Sequence, residues 1–264
     1  MRSIHVVVLM KPVPDMEKAK FDTERGTIVR ESSELQINPF DLHAIEAAVQ
    51  IKERVGGQVT VMSMAPLHAQ EALREAIARG CDRAILLSDR RFAGADTLAT
   101  AYALASGIKK LGSYDLIIAG EKSVDGDTAQ VPPEVAEILG IPHASYVSKL
   151  IDIGESHVRV ITEQESPYEV ELKLPALLQV TKEVAKPRIP LLKDKLKARK
   201  ANIEIWNADF LSDIADIKQF GFSGSPTWLG KMIVPKPKTR SKQILKPEEG
   251  IQKIIEILKK EGLL

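Results

Sequence analysis

Val59-Thr60-Val61-Met62-Ser63-Met64 is a β-branched run with no regular polar alternation, as expected of a strand covered on both faces. An amphipathic stretch follows from Leu67 to Arg79 and stops at Gly80. Ala84-Ile85-Leu86-Leu87 then gives a second buried strand. Strand, helix and strand at this spacing form a parallel unit with a right-handed crossover. The same alternation extends both ways along the chain. Upstream lie a strand from Ile4 to Met10 and a helix from Pro39 to Val55. Asn38-Pro39 heads that helix, with Asn as N-cap and Pro at its first position, and Gly56-Gly57 ends it. Downstream lie a helix from Thr97 to Leu111, stopped by Gly112, and a strand from Leu116 to Ala119. The fold class is therefore α/β, a doubly wound and mostly parallel sheet of Rossmann-like character. Such sheets bind ligands beyond the carboxyl ends of their strands.

After Ser145 the pattern changes. Val158 to Thr162 and Tyr168 to Leu172 alternate as antiparallel strands, with Ser166-Pro167 turning between them, and Leu174 to Val180 reads as another buried strand. From Ile203 to Pro247 periodicity is lost, although Trp206, Phe210, Phe220, Phe222 and Trp228 fall there. So many large apolar side chains argue against pure disorder and for an extended C-terminal arm lying over another surface. Pro247 to Lys260 is a helix with Ile251, Ile254, Ile255 and Leu258 on one face.

The 264 residues carry 37 Lys+Arg and 36 Asp+Glu, a net charge of +1. That balance argues against a nucleic-acid binder working by whole-molecule charge. The basic run from Lys193 to Lys200 lacks the interleaved aromatics of a single-strand binder and reads as a solvated face or a protein-docking loop. A single cysteine, Cys81, excludes an intramolecular disulfide and a cysteine-based zinc site. No apolar run reaches the roughly 20 residues of a membrane helix. The opening Met1-Arg2-Ser3-Ile4-His5 shows no cleavable signal pattern, so a cytoplasmic, reduced protein that does not span a membrane is expected.

The five histidines are scattered, with no pair at metal-ligand spacing. Neither Gly-x-Gly-x-x-Gly, Walker A nor Gly-x-Ser-x-Gly occurs, and Cys81 reads as a small core residue. The most distinctive stretch is Gly120 to Glu134, whose centre is Asp125-Gly126-Asp127-Thr128-Ala129-Gln130-Val131. It joins a strand to a helix through a turn able to present N–H groups to an anion. Pro132 and Pro133 have none to give, so the donors run from Gly126 through Val131, with the Thr128 hydroxyl and Gln130 amide. Asp125 and Asp127 fit beside an anion only if they turn away and brace the loop. A plain helix cap remains open as the alternative. Calcium does not fit, because Gln130 and Ala136 hold the glycine and bidentate positions of an EF-hand loop. Ala95-Asp96-Thr97-Leu98-Ala99-Thr100 opens the next helix at the same sheet edge. There Asp96 reads as a cap, or Thr97 and Thr100, three apart on one face, bind a ribityl or phosphate chain. Lys11-Pro12-Val13-Pro14-Asp15 reads as a rigid connector, or as a wall for a flat ring.

Together these elements resemble the β subunit of electron transfer flavoproteins over nearly the whole chain. The likeness rests on Lys11 to Asp15, Asn38-Pro39-Phe40-Asp41, Gly120 to Pro142, Leu174 to Leu178 and Pro187-Arg188-Ile189-Pro190. Ser166-Pro167 and Gln179 depart from the family pattern, where a glycine-rich acidic hairpin and a small residue are usual. The resemblance implies a nucleotide-binding domain of adenine nucleotide α-hydrolase-like fold over 1–185. It implies a partner-docking loop and basic run over 186–200, with Ile189 as apolar anchor. Residues 201–264 would form a C-terminal arm and helix packing on an α subunit. The implied site comprises Met10, Lys11, Asn38, Met64, Asp96, Thr97, Thr100, Asp125, Gly126, Asp127, Thr128, Ala129, Gln130 and Val131. The implied ligand is FAD, with AMP as the alternative. The Asp-Gly-Asp-Thr-Ala-Gln-Val loop and the Ala-Asp-Thr-x-x-Thr element are closer to the electron-bifurcating branch, in which NADH is the donor. The implied partners are the α subunit and a dehydrogenase or quinone oxidoreductase. No acid–base pair is required of this chain, since the cofactor carries the redox chemistry. A nucleotide-binding sensor module, or a free-standing nucleotide hydrolase or ligase, is the reading from other classes. The first leaves the last 80 or so residues without a role, and the second lacks a nucleophile or metal site.

Overall fold

Ile4–Leu9 (β1) is buried at every position, as a strand with helices on both faces must be. The computed structural model describes residues 3–15, 21–22, 27–28, 35–228, 242 and 244–264. After β1 come Pro12–Pro14 (β2), Phe21–Asp22 (β3), Thr27–Ile28 (β4) and Leu35–Ile37 (β5). β2 pairs with β5, and β3 with β4, outside the main sheet. The alternation then runs through Pro39–Val55 (α1), Gly57–Met64 (β6), Gln70–Ala78 (α2), Arg83–Leu87 (β7), Thr97–Leu111 (α3), Leu116–Gly120 (β8) and Val131–Leu139 (α4). His143–Ile153 (β9), His157–Glu163 (β10), Pro167–Lys173 (β11) and Ala176–Val180 (β12) follow. Leu192–Ala198 (α5), Glu204–Trp206 (β13), Ala208–Leu211 (α6) and Pro247–Lys260 (α7) complete the order.

Among the described residues nine strands form the main sheet, in the order β11-β10-β9-β12-β8-β1-β6-β7-β13. It is parallel from β9 to β13, with β10 and β11 added antiparallel at one edge. Successive β1 residues feed opposite cores. Val6 and Val8 pack with Ile45, Val49 and Leu73 under α1 and α2. Val7 and Leu9 pack with Ile108 and Ile117 under α3, with Val135 and Ala136 of α4 in the same cluster. Each such fully buried side chain contributes ~2 kcal/mol through removal from water.

Three expectations change. From Ser145 the sequence shows only a change of pattern before the strand at Val158, yet His143–Ile153 forms the 11-residue strand β9. The unit boundaries at 185/186 and 200/201 do not divide the sheet, because Glu204–Trp206 adds its edge strand β13 beside β7. Much of the aromatic stretch covers this chain's own core. Trp206 and Phe220 are buried, and the Phe220 ring lies 5.0 Å from Phe92 and 5.6 Å from Tyr102. Phe222 and Trp228 remain largely exposed. Residues 229–241 and 243 of the expected arm lie outside the described residues. The basic run folds as α5, with Lys195 Nζ 3.9 Å from Glu75 of α2.

Candidate functional site

Strand order reverses beside β1. The chain winds outward through β6 and β7 on one side, and returns to β8 on the other. The connections therefore leave in opposite directions and open a crevice beyond the carboxyl ends of β1 and β8. Met10 and Lys11 leave β1 there, and Gly120 to Gln130 leaves β8. Lys11 Nζ reaches across to Asp125 Oδ1 at 2.7 Å and Ser123 Oγ at 3.4 Å. Met10 is buried and Met64, ending β6, is half-buried. Pro12, Val13 and Pro14 are buried in the β2–β5 pair, so they connect rather than offer a wall to a ring.

Asn38 does not cap α1 through its side chain. Its Nδ2 donates to the Lys122 carbonyl at 2.8 Å and its Oδ1 accepts from the Val124 N–H at 3.1 Å. The carboxamide thus ties the head of α1 to the loop after β8. Three residues on, the buried Asp41 carboxylate accepts the Lys11 N–H at 2.7 Å. Burial pushes Asp41 up from 3.8 to about 7, against the pull of hydrogen bonds from Lys11, Asn38 and Gly120 and the charge of Lys11.

Within the loop the two aspartates turn onto lysines. Burial raises Asp125, but the bond and charge of Lys11 outweigh it, so its carboxyl lies below the ordinary range. Asp127 pairs with Lys122 at 2.9 Å. Asp127 and Ala129 take φ of 53° and 56°, the left-handed region that costs a non-glycine residue ~1 kcal/mol or more. The Gly126 N–H donates to Ser123 Oγ and the Asp127 N–H to the Ser123 carbonyl. Among the described residues no acceptor takes the N–H groups of Thr128, Ala129, Gln130 or Val131. Four consecutive donors at the head of α4 suit a phosphate. The buried Gln179 amide closes the loop from beneath, donating to the Glu121 carbonyl at 2.7 Å and the Ala129 carbonyl at 2.9 Å.

At the head of α3, Asp96 is spent as a cap. It accepts from the Ala99 N–H at 3.0 Å and from the N–H and hydroxyl of Thr227 at 3.0 and 2.8 Å. Burial raises it, but these bonds bring it below its ordinary value. Thr100 donates its N–H to the Asp96 carbonyl. The Thr97 hydroxyl donates to Glu134 Oε1 of α4 at 3.1 Å. Among the described residues Glu134 Oε2 is buried with no hydrogen-bond partner, and burial raises the carboxyl. The group that joins α3 to α4 and retains a vacant acceptor is thus Glu134, unmarked in the sequence beyond its place in an N-terminal turn. Gln179 and Asp41 were visible only as a departure and as part of a helix head.

Cys81 is a core residue, its thiol pushed up to about 12 by burial. Among the described residues no cluster of His, Cys, Asp and Glu could hold a metal, and no helix is long and apolar enough to cross a membrane. Ile189 is 87% exposed, so it does not cover the chain's own core. Its neighbour Arg188 anchors the loop, giving Glu46 bonds of 2.8 and 3.0 Å and Glu53 bonds of 2.7 and 3.0 Å. Burial raises Glu46, but the Arg188 bonds more than offset it. Arg79 Nη1 donates to the Arg188 carbonyl at 2.6 Å.

A model of the electron transfer flavoprotein domain matches residues 25–211. The chain belongs to the electron transfer flavoprotein family. Similar relatives place it with the β and FixA-type subunits. It is 41% identical over 260 residues to "Electron transfer flavoprotein subunit beta" of Clostridium acetobutylicum, covering 98% of this chain and 99% of that one. It is 38% identical over 239 residues to "Protein FixA" of Azorhizobium caulinodans, covering 88% and 85%. It is 41% identical over 237 residues to "Caffeyl-CoA reductase-Etf complex subunit CarD" of Acetobacterium woodii, covering 89% of each. In this family setting, the crevice between β1 and β8 is the candidate nucleotide site.

Proposed function

We propose that this chain is the β subunit of a cytoplasmic electron transfer flavoprotein that pairs with an α subunit, binds FAD in the β1–β8 crevice, and serves NADH-driven electron bifurcation. The observation that carries the ligand reading is the run of four N–H donors from Thr128 to Val131 at the head of α4. Such a run suits a pyrophosphate. FAD is favoured over AMP because the Asp125–Val131 loop and the Ala95–Thr100 element at the head of α3 resemble the electron-bifurcating branch. The flavin would supply the redox centre. The chain's own residues bind and orient it, through the donor run, the Thr128 hydroxyl and the Gln130 amide. The relative named as part of a caffeyl-CoA reductase–Etf complex supports docking of a partner dehydrogenase.

Counting flavins in the purified heterodimer tests the reading. Two per heterodimer are expected, whereas one flavin with one AMP would replace FAD by AMP in this subunit. Thr128→Val with Gln130→Ala should raise the Kd for that nucleotide about tenfold to a hundredfold, given roughly 1.5–3 kcal/mol for a bond to a charged group. Unchanged nucleotide retention would remove the loop from the site.

Ile189→Ala addresses the docking loop. Truncating an apolar anchor costs about 2 kcal/mol, so affinity for the partner dehydrogenase should fall roughly 30-fold. Flavin content and melting temperature should hold, because the side chain is 87% exposed. A lowered melting temperature with intact affinity would overturn the docking role.

A further inference from the structure

Gln179 is 1% exposed and ends β12 beside Val180. It pairs with Ala119 of β8 on one side. On the other side the register with β9 slips. Leu178 faces Ala144 and Val180 faces Val147, so Ser145 and Tyr146 together stand opposite Gln179. Tyr146 takes φ of 56° within that bulge. A bulge of this kind re-aims side chains and often lies beside a functional site. An amide enclosed this way must find partners for both its N–H bonds, and the two it finds lie at either end of the loop after β8. They are the carbonyls of Glu121 and Ala129. A carbonyl only accepts, so these contacts also fix which end of the amide faces the loop.

The consequence follows from peptide geometry. In a planar trans peptide the C=O and N–H point to opposite sides. Drawing the Ala129 carbonyl down onto Gln179 therefore aims the Gln130 N–H away from the sheet, into the space that an anion would occupy. The same holds at the Glu121–Lys122 peptide. Ala129 also sits at φ of 56°, a conformation that persists only where the surroundings impose it.

We infer that Gln179 is a positioning residue that sets the phosphate affinity of the loop without touching the ligand. This rests on the nucleotide reading above and extends it to a residue outside the loop.

The test is calorimetric titration of the nucleotide-stripped heterodimer with AMP and with adenosine, for wild type and Gln179→Met. Methionine keeps the length and apolar bulk of the side chain and removes both donors. The expected result is a loss of AMP affinity of about tenfold or more, with adenosine affinity within about twofold of wild type. A general disturbance of the site would weaken both probes equally, and that outcome, or unchanged AMP affinity, overturns the role of Gln179. If Gln179→Met does not yield folded heterodimer, Gln179→Thr is measured against the same criteria. Wild-type protein that binds AMP no better than adenosine would sink the loop reading itself, and the role of Gln179 with it.

Discussion

Gly120→Ala is expected to destabilise the subunit by roughly 3 kcal/mol, near the upper end for overpacking, and to release the nucleotide with it. A Cβ at Gly120 would run into Asp41 Oδ1 and come within 2.8 Å of the Phe40 carbonyl carbon and 2.9 Å of the Asp41 nitrogen. Two of these are backbone atoms in the first turn of α1, so no rotamer change relieves the contact. The whole head of the helix has to move away from the end of β8. That displacement lengthens the Asp41 bond to the Lys11 N–H and pulls Asn38 from Lys122 and Val124. The substitution thus reaches the loop through the groups that hold it. Urea unfolding should show a lower midpoint with an unchanged slope, and nucleotide released on denaturation should fall well below wild type. Wild-type values of both would mean that α1 and β8 are not locked together at this point.

The alternation of buried strands and amphipathic helices was legible because each strand is a mostly apolar run without regular alternation and each helix is long enough to show its period. Ile4–Leu9 and Thr97–Leu111 are of this kind. β9 was not legible, since a bulge at Ser145 and Tyr146 breaks the two-residue period inside the strand. β13 has three residues, too few to carry any period, and joins the sheet through a partner 120 or so positions away. The loop from Asp125 to Val131 could be found from its turn chemistry and its resemblance. Its supports showed only through the resemblance, Asn38 and Lys11 as implied site residues and Gln179 as a departure, because local rules cannot link residues that reach the loop from 84, 114 and 50 positions away. Asn38 shows the difficulty most clearly. Local rules assign its side chain to the helix it precedes, and the tertiary fold spends it on a different loop.

Asp41 makes wild-type stability fall as pH rises. Its folded-state value of about 7 lies above the ordinary 3.8, chiefly because burial disfavours the carboxylate. Between these values the folded state retains a proton that the unfolded chain has lost. Stability is therefore greatest below the unfolded value, declines by ~1.4 kcal/mol per pH unit through this window, and levels off above the folded value. The full decline is on the order of 4 kcal/mol. Unfolding free energies at pH 5 and pH 8 should thus drop by about 3 kcal/mol more in wild type than in Asp41→Asn. Comparing the two slopes removes other titrating groups, and a common slope would show Asp41 ionised throughout. The same group bears on ligand binding. An anion at the head of α4 places further negative charge in the crevice beside Asp41, with Lys11 paired to Asp125 and Lys122 to Asp127 and so partly neutralised. Like charge raises a carboxyl further, so AMP binding near neutral pH should be accompanied by proton uptake. Calorimetry in two buffers of different ionisation enthalpy should give different apparent enthalpies, a difference that Asp41→Asn abolishes. Buffer-independent enthalpies in wild type would separate the proton on Asp41 from the anion in the loop.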